Sequence, residues 1–136
     1  MEKILRTSAI LAGIIGVILI VTSLGAISFT YTSITRENIV TPADARMPGK
    51  QVRGPFTLKA QADIIRAHML KMTDGKTYAE MHREDKQRDL WITATTLTTA
   101  LNLGILTYGL SALTLLLGCM CVWMAFVFYT LSKKLI

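Results

Sequence analysis

The stretch LWITATTLTTALNLGILTYGLSALTLLLGCMCVWMAFVFYTLS, Leu90 to Ser132, contains no charged side chain. As a single α-helix it would be about 65 Å long at ~1.5 Å per residue, about twice the ~30 Å hydrocarbon thickness of a bilayer. One membrane span uses only half of that length. The other half must therefore lie outside the hydrocarbon layer of the membrane.

Aromatic and basic residues indicate which half lies in the membrane. The expected interface anchors are Tyr108, Trp123, Tyr129, Lys133 and Lys134. The two tyrosines are 21 residues apart, which is about 31 Å of helix and matches the hydrocarbon thickness. Aromatic rings are enriched at both interfaces of a bilayer, and lysines end a span. These residues predict a transmembrane helix over 105–131.

The threonine-rich half, ITATTLTTALN, is predicted to be an extramembrane helical stalk over residues 90–104. One apolar stripe recurs at helical spacing and consists of Leu90, Ala94, Leu97, Leu101 and Tyr108. Thr95, Thr99 and Asn102 lie off this stripe, so the helix is amphipathic here. Its apolar stripe is therefore expected to pack on an external segment. The alternative is two short spans with a turn near residues 109–111, which would put the lysine pair outside and a polar threonine segment in lipid.

A second apolar block, AILAGIIGVILIVTSLGAI, lies near the N-terminus within an uncharged run. Its length predicts a first transmembrane helix over residues 7–31. A secretory signal peptide is the competing interpretation, because Lys3 and Arg6 precede the block. The apolar core is too long for the ~7 to 15 residues of such a peptide.

Charges beside the spans predict the topology. Lys3 and Arg6 precede the first span and Lys133 and Lys134 follow the second. Basic residues close to a span mark its cytoplasmic end. The predicted topology is cytoplasmic for residues 1–6 and 132–136 and extracytoplasmic for residues 32–104, the stalk included.

The external segment 32–89 is predicted to be mostly helical. Proline and glycine punctuate its first part, and TLKAQADIIRAHMLKMTDG then reads as a helix that ends at Gly75. The apolar stripe of this helix comprises Leu58, Ala62, Ile65, Met69 and Met72. Thr77 and Glu80 have capping-box spacing and predict a further short helix. A small helical cap is therefore expected to pack on Leu90, Leu97 and Leu101.

The segments GPFTLKAQADIIRAH and DGKTYAEM, between two spans, resemble a family of small bacterial two-span membrane proteins. That family is common in actinobacteria and often carries the label aromatic ring-opening dioxygenase. The matching residues are Gly54, Pro55, Phe56, Gln61, Ala62, Asp63, Ile64, His68, Gly75, Lys76, Thr77, Tyr78, Ala79 and Glu80. The resemblance implies a two-span fold and a bacterial inner-membrane address. The methionines of MLKM and the dense stalk threonines depart from the family pattern.

The label implies non-haem iron, which two histidines and a carboxylate would have to hold. His68 and His82 are the only histidines of the sequence. With Met72, one turn after His68, they are also candidate ligands for copper(I), together with Met69 and Met81. Methionine at helical spacing more often fills gaps in a core. We therefore expect no cofactor and no enzyme activity, and copper handling is the alternative function.

Small residues predict helix contacts inside the membrane. Ala9 and Gly13, and likewise Ala12 and Gly16, have the spacing that lets another helix approach closely. Gly109 and Gly118 offer a similar surface on the second span. The contacting helix would belong to a partner subunit or, alternatively, to a second copy of the chain.

Charge distribution argues against nucleic-acid binding and against a pump or transporter that acts alone. The net charge is +6, but between Arg36 and Asp89 eleven basic residues interleave with eight acidic ones, which is typical of a solvated surface and not of a nucleic-acid site. Neither predicted span contains an ionisable residue of the kind that pumps and transporters need. The sequence thus predicts an all-α accessory subunit, non-catalytic, whose partners are other membrane subunits and the lipid bilayer.

Overall fold

The computed structural model describes residues 2–134. Its three α-helices are α1 (Glu2–Arg36), α2 (Pro55–Met72) and α3 (Gln87–Lys134), and a 3₁₀ turn (Tyr78–Glu80) lies between α2 and α3. Within residues 2–134, extended backbone pairs only in an isolated antiparallel bridge between Val40 and Gln51. The predicted all-α fold is confirmed. Met1, Leu135 and Ile136, which belong to the predicted cytoplasmic ends, lie outside the described residues.

Helices α1 and α3 are each long and apolar enough to cross a membrane. They contain 35 and 48 residues, and in the most apolar window of each helix 11% of the residues are buried. The core helix of a soluble protein would be mostly buried in such a window. Helix α3 runs without interruption through residues 109–111. The alternative of two short spans joined by a turn there is therefore wrong.

The chain forms two compact units. Unit 1 contains Met1–Phe29 and Gly109–Ile136, and unit 2 contains Thr30–Tyr108. In unit 1 the two long helices pair antiparallel. Residues later in α1 contact residues earlier in α3. A Cβ on Gly13 would lie 3.6 Å from Ala125 Cβ, whereas Gly16, one turn later, faces Val122 and Gly118.

The helix backbones of unit 1 approach closely at Gly16 and Gly118. A Cβ on Gly16 would lie 2.8 Å from the Gly118 carbonyl oxygen, and a Cβ on Gly118 would lie 3.0 Å from the Gly16 carbonyl oxygen. Only glycine fits at either position. A Cβ on Gly109, by contrast, would meet no atom within 4 Å, so Gly109 takes no part in this contact.

Small residues recur every seven positions along both sides of this contact. In unit 1 they are Ala9, Gly16 and Ser23 on α1, and Ser111, Gly118, Ala125 and Ser132 on α3. All are buried except Ala125, which is half-buried. The Ser23 hydroxyl also donates to the Ser111 carbonyl oxygen at 2.6 Å. A seven-residue repeat keeps one seam in contact along a left-handed supercoil.

In unit 2, helix α2 begins at Pro55, two residues before the predicted start at Thr57, and ends at Met72, before Gly75. Pro55 occupies the first turn, where its missing N–H costs nothing, and the Thr57 hydroxyl accepts from the backbone N–H of Arg53 at 3.0 Å. The helix ends before Gly75, whose φ of +79° favours glycine. The Gly75 N–H donates to the Leu70 carbonyl oxygen at 2.8 Å.

The short helix predicted after Thr77 is a three-residue 3₁₀ turn. The Glu80 carboxylate accepts from the backbone N–H and from the hydroxyl of Thr77, each at 2.7 Å, so the predicted cap exists. These bonds lower the pKa of Glu80. Arg88 stabilises the segment from α3 by donating to the Met81 carbonyl oxygen at 2.8 Å and by lying 4.0 Å from the centre of the Tyr78 ring.

Two apolar clusters form the core of unit 2. The first contains Val52, Leu58, Ala62 and Leu101, with Ile34, Ile39, Ile65, Ile105 and Tyr108 packed around it. The second contains Met69, Met81, Trp91 and Ala94. The missing side chain of Gly104 on α3 leaves room for Leu58. A Cβ at position 104 would lie only 3.2 Å from Leu58 Cδ1.

The buried stripe of α3 in unit 2 differs from the predicted one. Leu90 and Leu97 are 47% and 52% exposed, whereas Trp91, Ala94 and Leu101 are buried. Of the three residues on which the helical cap was predicted to pack, Leu101 is buried against α2, whereas Leu90 and Leu97 remain largely exposed. Trp91 offers the larger apolar area, so burying its ring against Met69 and Met81 rotates the helix away from Leu90. At the corresponding end of α2, Met72 is 53% exposed.

Replacement of Gly16 by alanine is expected to destabilise the helix pair of unit 1. The added methyl group would force the backbones apart at a cost of about 1–3 kcal/mol, the range for overpacked cores. Thermal unfolding in mild detergent, followed by circular dichroism, measures the effect as a lowered Tm. Gly25→Ala is the matched control because nothing lies within 4 Å of the added methyl. Equal Tm values for the two variants would contradict the close approach.

Candidate partner-binding surface

The segment between α1 and α2 folds around a buried threonine. Thr41 is 2% exposed, its N–H donates to the Lys50 carbonyl oxygen at 3.0 Å, and its hydroxyl accepts from the Lys50 N–H at 2.9 Å. The Val52 N–H donates to the Ile39 carbonyl oxygen at 2.8 Å. These bonds fix Ile39 and Val52 beside α2, although the segment has little regular structure.

An open apolar groove lies beside the first core cluster of unit 2. Its volume is about 590 Å³, and its lining is Ser33, Ile34, Glu37, Ile39, Leu58, Gln61, Ile65, Leu97, Ala100 and Leu101. The floor consists of core residues such as Leu58 and Leu101. Leu97 remains 52% exposed at the groove. We call this surface the apolar groove.

Two polar groups stand out in this apolar lining. Gln61 Oε1 is buried and has no hydrogen-bond donor among residues 2–134. Leaving such an acceptor unpaired costs about 1–3 kcal/mol. Glu37 is exposed, and its carboxylate forms no ion pair within the described part of the chain. The groove therefore offers one unpaired acceptor and one negative charge to whatever occupies it.

A second groove follows the polar side of α3 in unit 2. Its volume is about 230 Å³, and its lining is Arg66, Trp91, Ala94, Thr95, Thr98, Thr99 and Asn102. Thr95, Thr99 and Asn102 are the residues that the sequence placed away from the apolar stripe. We call this surface the threonine groove.

The histidines and methionines predicted as copper ligands have different surroundings. His68 Nε2 lies 2.7 Å from Asp44 Oδ2, and the ring nitrogen donates because a carboxylate can only accept. Met72 and His82 are exposed on different segments, and Met69 and Met81 pack against Trp91. Within residues 2–134 no three His, Cys, Asp or Glu side chains are arranged to hold a metal ion.

The predicted interface anchors behave differently from one another. The Tyr108 hydroxyl donates to the Arg53 carbonyl oxygen at 2.7 Å, so its polar end is used within unit 2. Trp123 and Tyr129 are 67% and 45% exposed in unit 1. The Lys133 ammonium group lies 4.9 Å from the centre of the Tyr129 ring, and Lys134 is exposed.

The predicted helix-packing residues lie mostly inside the chain. Ala9 and Gly16 are buried, and Gly13 and Ala12 are half-buried. Gly13, Gly16 and Gly118 face the neighbouring helix of their own chain in unit 1. Their small size thus serves an intramolecular contact.

Sequence reasoning did not identify Gln61, Glu37, Arg66 or Trp91 as site residues. A signal for Gln61 exists, since it is a polar residue between Ala60 and Ala62, both of which are buried. No comparable pattern marks the others. Their role follows only from the way in which α1, α2 and α3 come together in unit 2.

No family model, curated protein or solved structure matches this chain. The resemblance to the actinobacterial two-span family therefore stays a prediction. The function has to be argued from the two grooves and the two apolar helices.

The Asp44 and His68 pair predicts a shifted titration. The hydrogen bond from His68 lowers the pKa of the Asp44 carboxyl below its ordinary value of 3.8. A depressed carboxyl pKa contributes stability above the ordinary value, and that contribution is lost as the pH falls through the folded pKa. Carbon-detected NMR of the full chain in detergent is expected to show a midpoint for Asp44 below 3.8.

The His68→Ala variant should return the Asp44 midpoint towards its ordinary value. His82→Ala is the matched control, since His82 makes no contact with Asp44 in the structure. A midpoint that does not move in His68→Ala would show that the pair does not form.

Proposed function

We propose that this chain is a non-catalytic accessory subunit of a bacterial inner-membrane complex, and that its apolar groove seats an apolar helix of a partner membrane protein. The observation that carries the proposal is the groove itself. It combines an open apolar lining, an exposed Leu97 and a buried acceptor on Gln61. Exposed apolar surface with a few placed polar groups is typical of a protein interface.

The membrane address rests on the two long apolar helices and their flanking charges. Most of each apolar window is exposed, as expected for helices that face lipid. A cleaved signal peptide would have no reason to pack on α3, whereas Gly16 and Gly118 fit together within unit 1. The basic residues near both ends favour cytoplasmic termini. In this topology residues 32–104, which include both grooves, lie on the extracytoplasmic side.

The residues that line the apolar groove indicate what kind of partner helix would fit it. An apolar helix would cover Leu97, Ile65 and Ala100 and remove their surface from water at about 25 cal/mol per Å². A hydroxyl or amide N–H near the middle of that helix would satisfy Gln61 Oε1. A basic residue at its end would pair with Glu37. The occupant is thus an apolar helix with one donor and one adjacent positive charge.

Leu97→Lys is expected to release the partner. A lysine at this position would put a charge among apolar side chains and would compete with the basic residue of the partner for Glu37, which is expected to lower recovery of the partner at least about tenfold. Tagged wild-type protein is extracted from native membranes in mild detergent, and the stoichiometric partner is quantified by native mass spectrometry. Leu90→Lys is the matched control, because Leu90 is 47% exposed on the same helix and does not line the groove.

Two outcomes would overturn the proposal. In the first, the wild-type chain leaves the membrane without any stoichiometric protein partner and carries only a lipid mass in the groove. In the second, Leu97→Lys and Leu90→Lys retain the partner equally. A photo-reactive amino acid at position 97 provides an independent readout, since it should crosslink to the same partner and the same probe at position 90 should not.

A further inference from the structure

The threonine groove contains positive charge and no negative charge. Arg66 of α2 is the only charged residue in the lining that the structure describes. Its guanidinium forms no ion pair within residues 2–134. An arginine fork recognises carboxylate and phosphate oxygens by paired N–H donors. The groove therefore presents a free, geometrically specific anion-binding group.

Trp91 adds a donor that has no acceptor. The side chain is 6% exposed, and its Nε1 is buried without a hydrogen-bond partner among the described residues. An indole N–H can only donate. Buried polar groups are nearly always paired, so an orphaned donor on a residue that lines a groove indicates an acceptor brought by a ligand.

The threonines between residues 93 and 99 of α3 divide into two groups by the hydrogen bonds of their hydroxyls. Thr93, Thr96 and Thr98 each donate to the carbonyl oxygen four residues earlier, at 3.1, 2.9 and 2.7 Å. Threonine in a helix commonly uses its hydroxyl in this way. Thr95 and Thr99 form no such bond in the structure, and both line the groove. Their hydroxyls remain available to a ligand.

These groups stand along one face of α3. Trp91, Thr95, Thr99 and Asn102 follow one another at spacings of four, four and three residues, and all four line the groove with Arg66. The Asn102 amide contributes further donors. Together they supply more donors than the two oxygens of a carboxylate would use, whereas the oxygens of a phosphate group suit them. The volume of about 230 Å³ admits such a group with bridging water.

We propose that the threonine groove is a phosphate-binding site, with Arg66 as the charged anchor and Trp91, Thr95, Thr99 and Asn102 as hydrogen-bonding residues. The phosphate comes either from the headgroup of an anionic lipid or from a free phosphate, and both present the same oxygens to the groove. This site is separate from the apolar groove and does not depend on the partner proposed for it.

Tryptophan fluorescence tests the site in the full chain. The sequence has two tryptophans, so Trp123→Phe leaves Trp91 as the only emitter. Inorganic phosphate is titrated into this variant in a neutral detergent, with chloride at matched ionic strength as the reference. We expect a saturable change in Trp91 emission with phosphate and none with chloride.

A second arm distinguishes the sources of phosphate. Micelles are doped with phosphatidylglycerol or with diacylglycerol, which lacks the phosphate. A response to phosphatidylglycerol alone, without a response to inorganic phosphate, supports the lipid headgroup. A response to inorganic phosphate supports a free phosphate. Equal responses to the two lipids, with no response to inorganic phosphate, would overturn the proposal.

Matched variants locate the response in the groove. Arg66→Gln should weaken binding at least about tenfold, because charge-assisted hydrogen bonds are the strong ones. Arg46→Gln is its control, since Arg46 is exposed and does not line the groove. Thr99→Val should also weaken binding, whereas Thr96→Val should not. If Arg66→Gln, shown to be folded by circular dichroism, binds as tightly as wild type, the site does not exist.

Discussion

The close approach of two helix backbones at Gly16 and Gly118 is the constraint on which unit 1 depends. Lipid tails are as apolar as leucine side chains, so helices in a bilayer gain nothing from hiding apolar surface from one another. They associate through tight packing and hydrogen bonds, which need small residues along the shared seam. The seven-residue repeat of alanine, glycine and serine provides that seam, and the Ser23 to Ser111 hydrogen bond reinforces it. The remaining positions of the apolar windows, mostly isoleucine, leucine and valine, are largely exposed, as expected of helices in a bilayer.

This use of the glycines changes how the small residues are interpreted. Their spacing within α1 indicated that some helix packs there, and a helix does pack there. The spacing could not indicate whether that helix belongs to the same chain, a partner or a second copy. The matching repeat in α3, with Ser111 and Gly118 seven residues apart, was the available signal for an internal contact. Gly16 is buried against Gly118 within the chain, so it offers no surface to a second copy.

The sequence predicted the helices well and their mutual rotation poorly. Charge-free length, interface aromatics and the stop at Gly75 each act locally, so the long helices and the end of α2 could be read directly. The orientation of α3 in unit 2 depends on competition between Leu90 and Trp91 for the same core, which a repeat of apolar letters does not resolve. The capping pair Thr77 and Glu80 was recognised, but its turn is stabilised by Arg88 from α3.

One histidine and two methionines of the predicted copper ligands make contacts within unit 2. His68 is used by Asp44, and Met69 and Met81 pack against Trp91. Each of the two grooves is lined by one residue with an unpaired buried polar atom. Gln61, which lines the apolar groove, has an unpaired acceptor, and Trp91, which lines the threonine groove, has an unpaired donor.

Opposite hydrogen-bonding characters require opposite ligands. An acceptor in an apolar groove selects a donor carried on an apolar body, such as a helix with one hydroxyl or amide. A donor beside a free guanidinium selects an anion, because an anion accepts from both groups at once. Under the two proposals, the two faces of α3 in unit 2 bind chemically different ligands that do not compete with each other.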